Sequence, residues 1–199
     1  MFPLAAKNPG QKARAFVFLR FGRGFPLLSN ICQTNPQGPT LLMSNRNSPY
    51  SVDMARRSKV FSIGYEGLSL DEFVALLLEH DVDLLVDVRL TPLSRKPGFS
   101  KTVLSEALSA AGIRYVHEKA LGNPRDNRES FRNGRRALGE KRFRKVVRQH
   151  GHHAVESLKK MSCECRVALM CYERSVDECH RGVVMDILKD SSSIRPIHI

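Results

Sequence analysis

Asp83-Leu-Leu-Val-Asp-Val-Arg89 is the stretch on which the fold turns. A short, nearly continuous apolar run bounded by polar residues reads as a strand buried on both sides, the usual state of a parallel strand. Upstream, Lys59-Val-Phe-Ser-Ile-Gly-Tyr65 reads as another strand. Between the two, Ser69-Leu-Asp-Glu72 is a capping box, in which the Ser and Glu side chains satisfy each other's free amides. The helix it opens runs to about His80, with Phe73, Leu76, Leu77 and Leu78 as its apolar face.

Downstream of the decisive strand, a Pro-containing loop from Thr91 to Phe99 leads to a helix capped by Ser100 and stopped by Gly112. Ile113-Arg-Tyr-Val-His117 is a third strand, followed by a long loop and two helical stretches, about 136–149 and 153–161. Arg166-Val-Ala-Leu-Met-Cys-Tyr172 is a fourth strand, and a helix then extends through Leu188. Ile194-Arg-Pro-Ile-His198 closes the chain as a short edge strand, because Pro196 cannot donate to a central ladder. Strands alternating with helices predict an α/β fold for residues 59–199. The expectation is a single compact domain with a mainly parallel sheet of about five strands and helices on both faces.

Bulk properties narrow the partners. The chain has 199 residues, 42% hydrophobic, and no apolar run near the roughly 18 residues that span a bilayer. The longest early candidate, Ala15 to Phe21, is short and carries Arg20, so no membrane partner is expected. Five cysteines without scaffold spacing predict unoxidised thiols in a reducing, cytoplasmic compartment. The net charge of +12 is unevenly placed. Residues 1–58 carry eight Lys/Arg against Asp53 alone. Arg125 to Arg148 holds ten more against three acids, so the rest of the 59–199 domain is slightly acidic.

Residues 1–58 hold six of the ten prolines and no sustained period, which predicts disorder. Three readings compete: an organelle-targeting peptide, a flexible basic tail, or an upstream start with Met54 as the natural one. The prolines weaken the amphipathic helix that the first requires, and the third is preferred.

Ligands of open α/β sheets bind beyond the carboxyl ends of the strands. Those ends carry Gly64-Tyr65-Glu66, Asp87 with Arg89, His117, and Cys171 with Glu173, and the next loop delivers Cys179-His180-Arg181. Reactive side chains from distant segments thus converge on one rim. Cys179 falls in the first turn of the last helix if Asp177 is the cap, where the helix dipole favours a thiolate. It falls a turn deeper if Ser175 is the cap, and the two options stay open. A nucleophilic Cys179 needs a base, for which His180 and His117 are candidates; the plainer reading is a small buried core residue. Asp87 orients an arginine, acts as an acid or base, or simply ion-pairs within the rim. Arg89, Arg95 and Arg181 suit an anion, since guanidinium forks match phosphate bidentately. Cys163, Cys165, Cys171, Cys179, His180 and His117 offer metal ligands, but Cys163 and Cys165 precede the fourth strand and belong at its other end. One site using all of them is not expected, and no metal or cofactor is predicted.

Phe61-Ser-Ile-Gly-Tyr-Glu-Gly67, Leu85-Val-Asp-Val-Arg89, Pro92 with Ser94-Arg95, Phe99-Ser100, Gly112-Ile113 with Tyr115 and His117, Leu121-Gly122, Leu169-Met-Cys-Tyr-Glu173 and Cys179-His-Arg181 follow in that order. Together they resemble the bacterial and archaeal family catalogued as domain of unknown function 488. The resemblance covers about 59–199, is weakest over 126–160, and implies a compact α/β domain with Asp-x-Arg and Cys-His-Arg signatures. It leaves the reaction open. Members often carry a second glycine and an arginine after the third strand; Leu121-Gly-Asn-Pro-Arg125 matches with a shift of one residue.

The leading functional expectation is an enzyme acting on a phosphorylated or nucleotide-like substrate by thiol-dependent chemistry. Cys179, His180, Asp87, His117 and Glu173 are its candidate catalytic residues, and Tyr65, Arg89, Ser94, Arg95 and Arg181 its candidate anion-binding residues. The alternative is a non-catalytic nucleic-acid-binding module using Arg125, Arg128, Arg132, Arg135, Arg136, Lys141, Arg142, Arg144, Lys145 and Arg148. A regulatory domain binding a small ligand at the rim is a third.

Overall fold

The apolar runs read as strands all pair with one another in parallel. In the computed structural model, which describes residues 59–199, β1 (Lys59–Gly64), β2 (Leu84–Asp87), β3 (Arg114–His117), β4 (Val167–Cys171) and β5 (Arg195–His198) form one sheet in the order β3-β2-β4-β1-β5. In register, Val167 faces Val60 on one side and Leu84 on the other. The interior strands β2 and β4 are buried throughout, whereas β3 and β5 mix part-buried with exposed residues, as edge strands do. Pro196 sits on such an edge. The expectations for residues 1–58 lie outside the described residues.

Among the described residues six α-helices cover the sheet: α1 (Leu70–Glu79), α2 (Lys101–Ala110), α3 (Arg125–Arg132), α4 (Arg136–Val146), α5 (His152–Glu164) and α6 (His180–Ser191). On one face, Phe73 and Leu77 of α1 and Leu104 and Leu108 of α2 pack on Phe61, Ile63, Leu85 and Met170. On the other, Phe143, Leu158 and Val184 from α4, α5 and α6 pack on Val60, Val86, Val167 and Leu169. The domain is therefore the expected α/β layer structure with helices on both faces.

Local chemistry explains several element ends. The capping box forms in full: Ser69 N–H donates to Glu72 Oε2 at 2.7 Å, and Glu72 N–H donates to Ser69 Oγ at 3.2 Å. These bonds hold the Glu72 carboxyl below its ordinary value. Ser100 occupies the N-cap of α2, but its hydroxyl makes no cap bond; it bonds the Ser94 backbone instead and pins the Thr91–Phe99 loop.

Three expectations need correction. Leu78 is exposed and Leu76 only partly buried, so the working face of α1 is Phe73 with Leu77, one turn apart. Part of the expected long loop is helix α3, which buries Asn127 and Ser130 beside Phe131 and therefore lacks an apolar period. The two expected helical stretches are joined by a π-turn, Val147–Gly151, rather than broken near Gly151.

The topology places a crevice. β1 and β2 send their chains to α1 and α2 on one face, while β4, lying between them, sends its chain to α6 on the other. Neighbouring strand ends that diverge in this way leave an opening at their carboxyl ends. The approach there is close: a Cβ on Gly64 would lie 1.9 Å from the Glu173 carbonyl oxygen. Only glycine lets the end of β1 meet the loop after β4.

Candidate active site

A cleft of ≈ 400 Å³ opens at this rim, with Cys171 and His180 on its floor and Tyr65, Arg89, Arg95 and Arg128 among its walls. The floor and one wall differ sharply in how their polar atoms are engaged.

The wall is centred on Asp87, fully buried at the end of β2. Arg89 Nε donates to Asp87 Oδ1 at 2.9 Å and Nη2 to Oδ2 at 2.6 Å, a bidentate pair. Arg89 N–H adds a third bond to Oδ1, and Tyr115 Oη donates to Oδ2 at 2.6 Å. Arg89 Nη1 reaches the Phe99 carbonyl and Tyr65 Oη. Burial opposes the Arg89 charge, but Asp87 and then Tyr65 outweigh it and hold the guanidinium above its ordinary value. Burial and then the Asp87 bond raise the Tyr115 hydroxyl. Tyr65 stacks on Phe99 with ring centroids 4.3 Å apart, and its hydroxyl donates to Ser94 Oγ. His117 Nε2 lies 2.8 Å from the Arg89 carbonyl oxygen, fixing the backbone from the β3 side.

The floor is a cluster of two thiols and an imidazole. Side chains alternate along a strand, so Cys171 points to the same face as Val167 and Leu169, towards α6. Cys179 is the N-cap of α6 and His180 its first residue. The sequence left Asp177 or Ser175 as the cap; the chain uses neither. Asp177 N–H bonds Ser175 Oγ and Cys179 N–H bonds the Val176 carbonyl, turns that postpone the helix to His180. Cys171 Sγ, Cys179 Sγ and His180 Nδ1 all lie within 4.8 Å of one another. His180 Nδ1 is 3.8 Å from each sulfur, and Nε2 is 3.0 Å from the Val88 carbonyl oxygen. A carbonyl only accepts, so Nε2 carries the proton and the Nδ1 lone pair faces the sulfurs. Phe143 packs edge-on against the ring and holds it there.

The two thiols are tuned in opposite directions. Burial raises Cys179, but the Cys171 thiol, His180 and Arg181 overcome it and bring Cys179 well below the ordinary thiol value. The bond to Cys179, then burial and Glu173, push Cys171 well above it. Burial lowers His180, while Cys179 and the Val88 carbonyl more than offset it, so its net shift is upwards. Cys171 Sγ also contacts Glu173 Oε2 at 3.2 Å.

The remaining expected residues divide. Arg181 is buried and faces away from the cleft: Nε donates to Ser62 Oγ at 2.8 Å, Nη2 to the Arg174 carbonyl at 2.8 Å, and Nη1 to the Glu173 carbonyl. It clips the loop after β4 to β1. Ser94 and Arg95 are on the cleft, and Arg95 is exposed. Cys179 itself is 1% exposed and is not on the cleft wall; Cys171, its neighbour, is. Cys165 is buried at the amino end of β4, where Arg114 Nη2 contacts its sulfur, and Cys163 is exposed nearby, so neither joins the cluster. In the basic segment, Arg132 pairs with Glu173, Arg136 with Glu140 and Asp177, and Arg144 with Asp186 and Asp190. Arg125, Arg135, Lys141, Arg142, Lys145 and Arg148 are exposed. No helix among the described residues is long and apolar enough to cross a membrane.

Tyr115 was given no role by the sequence reading, and Cys171 was named at the rim and as a metal ligand but not among the catalytic or anion-binding residues. Tyr115 was visible as an inward-alternating position of β3. Cys171 stood at a strand end, and strand alternation was the signal that could have paired it with Cys179. The family model described as Domain of unknown function DUF488 matches residues 69–188, and the chain belongs to that family. No curated protein and no solved structure matches the chain.

Proposed function

We propose that this member of the family is an enzyme acting on a phosphorylated or nucleotide-like substrate, bound in the cleft above the Cys171–Cys179–His180 cluster. One observation carries the reading: a single cleft joins a thiol and imidazole floor to walls bearing Arg95, Lys96, Arg128 and Arg132. Cationic side chains around a partly enclosed space attract and orient an anion, and the cluster is the reactive group within reach of it. Arg89 and Asp87 shape the wall, Arg181 positions the loop, and Arg95 and Arg128 are the anion contacts. A cytoplasmic, reducing setting suits two adjacent thiols.

The nucleic-acid reading draws on the exposed cations of α3 and α4, several of whose neighbours are ion-paired within the domain. It predicts binding that weakens steeply with salt and is indifferent to Cys179. The two are separated by calorimetric titration with inorganic phosphate, pyrophosphate and a mononucleotide. The enzyme reading expects saturable binding that weakens in Arg95→Ala and Arg128→Ala and survives Lys141→Ala with Lys145→Ala. Absence of binding at millimolar ligand, or loss confined to the lysine variant, overturns it.

A further inference from the structure

We propose that Cys171, Cys179 and His180 form a metal site that holds one zinc-class divalent cation, with the fourth coordination position open to the cleft. The geometry is close to what such an ion demands. With Zn–S near 2.3 Å and Zn–N near 2.0–2.1 Å, tetrahedral angles place S and N ligands about 3.6 Å apart and two S ligands about 3.8 Å apart. His180 Nδ1 stands 3.8 Å from both sulfurs, and the whole set falls within 4.8 Å. Both nitrogen–sulfur distances are within a few tenths of an ångström of the tetrahedral value.

The surroundings are those of a ligand histidine. Metal-bound imidazoles almost always donate their other N–H to a carbonyl or carboxylate, which fixes the tautomer and the ring. His180 does so through Nε2 to the Val88 carbonyl at 3.0 Å, while Phe143 braces the ring. Contacts of 3.8 Å are poor hydrogen bonds, so without an ion the buried Cys179 sulfur and His180 Nδ1 are weakly engaged, while Cys171 Sγ reaches one oxygen, Glu173 Oε2 at 3.2 Å. Two thiolates neutralise a dication. Hard cations such as magnesium take oxygen ligands instead, so the donor set selects a thiophilic metal.

Two thiolates and an imidazole make a three-ligand set, the pattern of catalytic rather than structural zinc, which keeps one position for water or substrate. Cys171 and His180 line the cleft and Cys179 lies behind them, so the open position faces the space in which the anion is proposed to bind. Glu173 Oε2, beside Cys171 Sγ, is placed to accept a proton from a water there. That last role rests on the proposed function; the metal site does not.

The test uses the full-length, reduced, metal-stripped chain titrated with cobalt(II). The expected result is one ion per chain, a thiolate-to-cobalt charge-transfer band, displacement by one equivalent of zinc, and proton release on binding. Cys171→Ser, Cys179→Ser and His180→Ala each lose the band, while Cys163→Ser and Cys165→Ser keep it. No band in the parent chain, or a band that survives Cys179→Ser, overturns the proposal. Should the variants not fold, zinc X-ray absorption on the parent chain decides: two sulfurs near 2.3 Å with nitrogen or oxygen near 2.0 Å support the site, and any other sulfur number sinks it. Metal binding without phosphate binding removes the proposed function and leaves the site; phosphate binding without the metal does the reverse.

Discussion

The Asp87–Arg89 wall and the Cys171–Cys179–His180 floor stand side by side at the same strand ends, yet they are built on opposite plans. Around Asp87, both carboxylate oxygens, the guanidinium and two tyrosine hydroxyls are mutually bonded at ordinary distances. In the floor, His180 Nε2 is bonded well and Cys171 Sγ meets Glu173 Oε2 at 3.2 Å, while His180 Nδ1 meets both sulfurs only at 3.8 Å. A saturated network has no capacity left for a ligand and holds the rim rigid. An unsaturated one, braced by the first, retains that capacity. Side chains that look equally reactive in the sequence are thus separated by what their partners leave unused.

The comparison breaks most visibly at Asp87. Asp87→Ala leaves Arg89 charged, buried and without its carboxylate, which costs about 3–5 kcal/mol. Urea denaturation should show a lowered midpoint with an unchanged slope. A loss below about 1 kcal/mol would mean that the wall is not the structural half of the site. The zinc affinity of whatever fraction stays folded should be little changed.

Arg181 sharpens the same contrast from within the signature tripeptide. It shares Cys-His-Arg with the cluster but belongs with the saturated group, since its donors meet Ser62, Glu173 and Arg174. Arg181→Met keeps the volume and strands those acceptors, for a loss of about 2–3 kcal/mol on thermal or urea unfolding. Anion affinity of the folded fraction should hold within about twofold, a change near 0.4 kcal/mol. A large loss of phosphate affinity with unchanged stability would return Arg181 to the anion-binding role first expected of it.

The fold was legible because parallel strands announce themselves as apolar runs, and Val60 to Ile63, Leu84 to Val86 and Val167 to Met170 are buried almost without exception. Helix α3 was not, because Arg125-Asp-Asn-Arg-Glu-Ser-Phe-Arg132 buries polar side chains; Asn127 Nδ2 bonds Asn123 Oδ1 and the Gly139 carbonyl. Periodicity arguments are blind to a helix seated by hydrogen bonds. The rim's location was legible from strand ends alone. Its division of labour was not: whether Arg89 and Arg181 face an anion or a carbonyl depends on loop paths. The cap of α6 depends on how many turns Ser175 to Glu178 make first. Sequence spacing reports neither.

Cys179→Ala carries the smallest effect on stability and the largest on function, which makes it the finest test of the contrast. The substitution deletes one sulfur from a site packed in the core beside Val183 and Val184. The lost transfer energy is about 1 kcal/mol, comparable to a buried methylene. The hydrogen bonds lost are weak sulfur contacts, to His180 Nδ1 at 3.8 Å and to the Cys171 thiol. The helix cap survives as well, since Cys179 serves α6 through its backbone: its carbonyl still accepts from Gly182 and its N–H still bonds Val176. A floor residue held for packing would therefore show only that small loss. A floor residue held for chemistry would show the same small loss together with abolished cobalt charge transfer. Equal folding with intact metal binding would place Cys179 with the core and leave Asp87–Arg89 as the only organised chemistry at the rim.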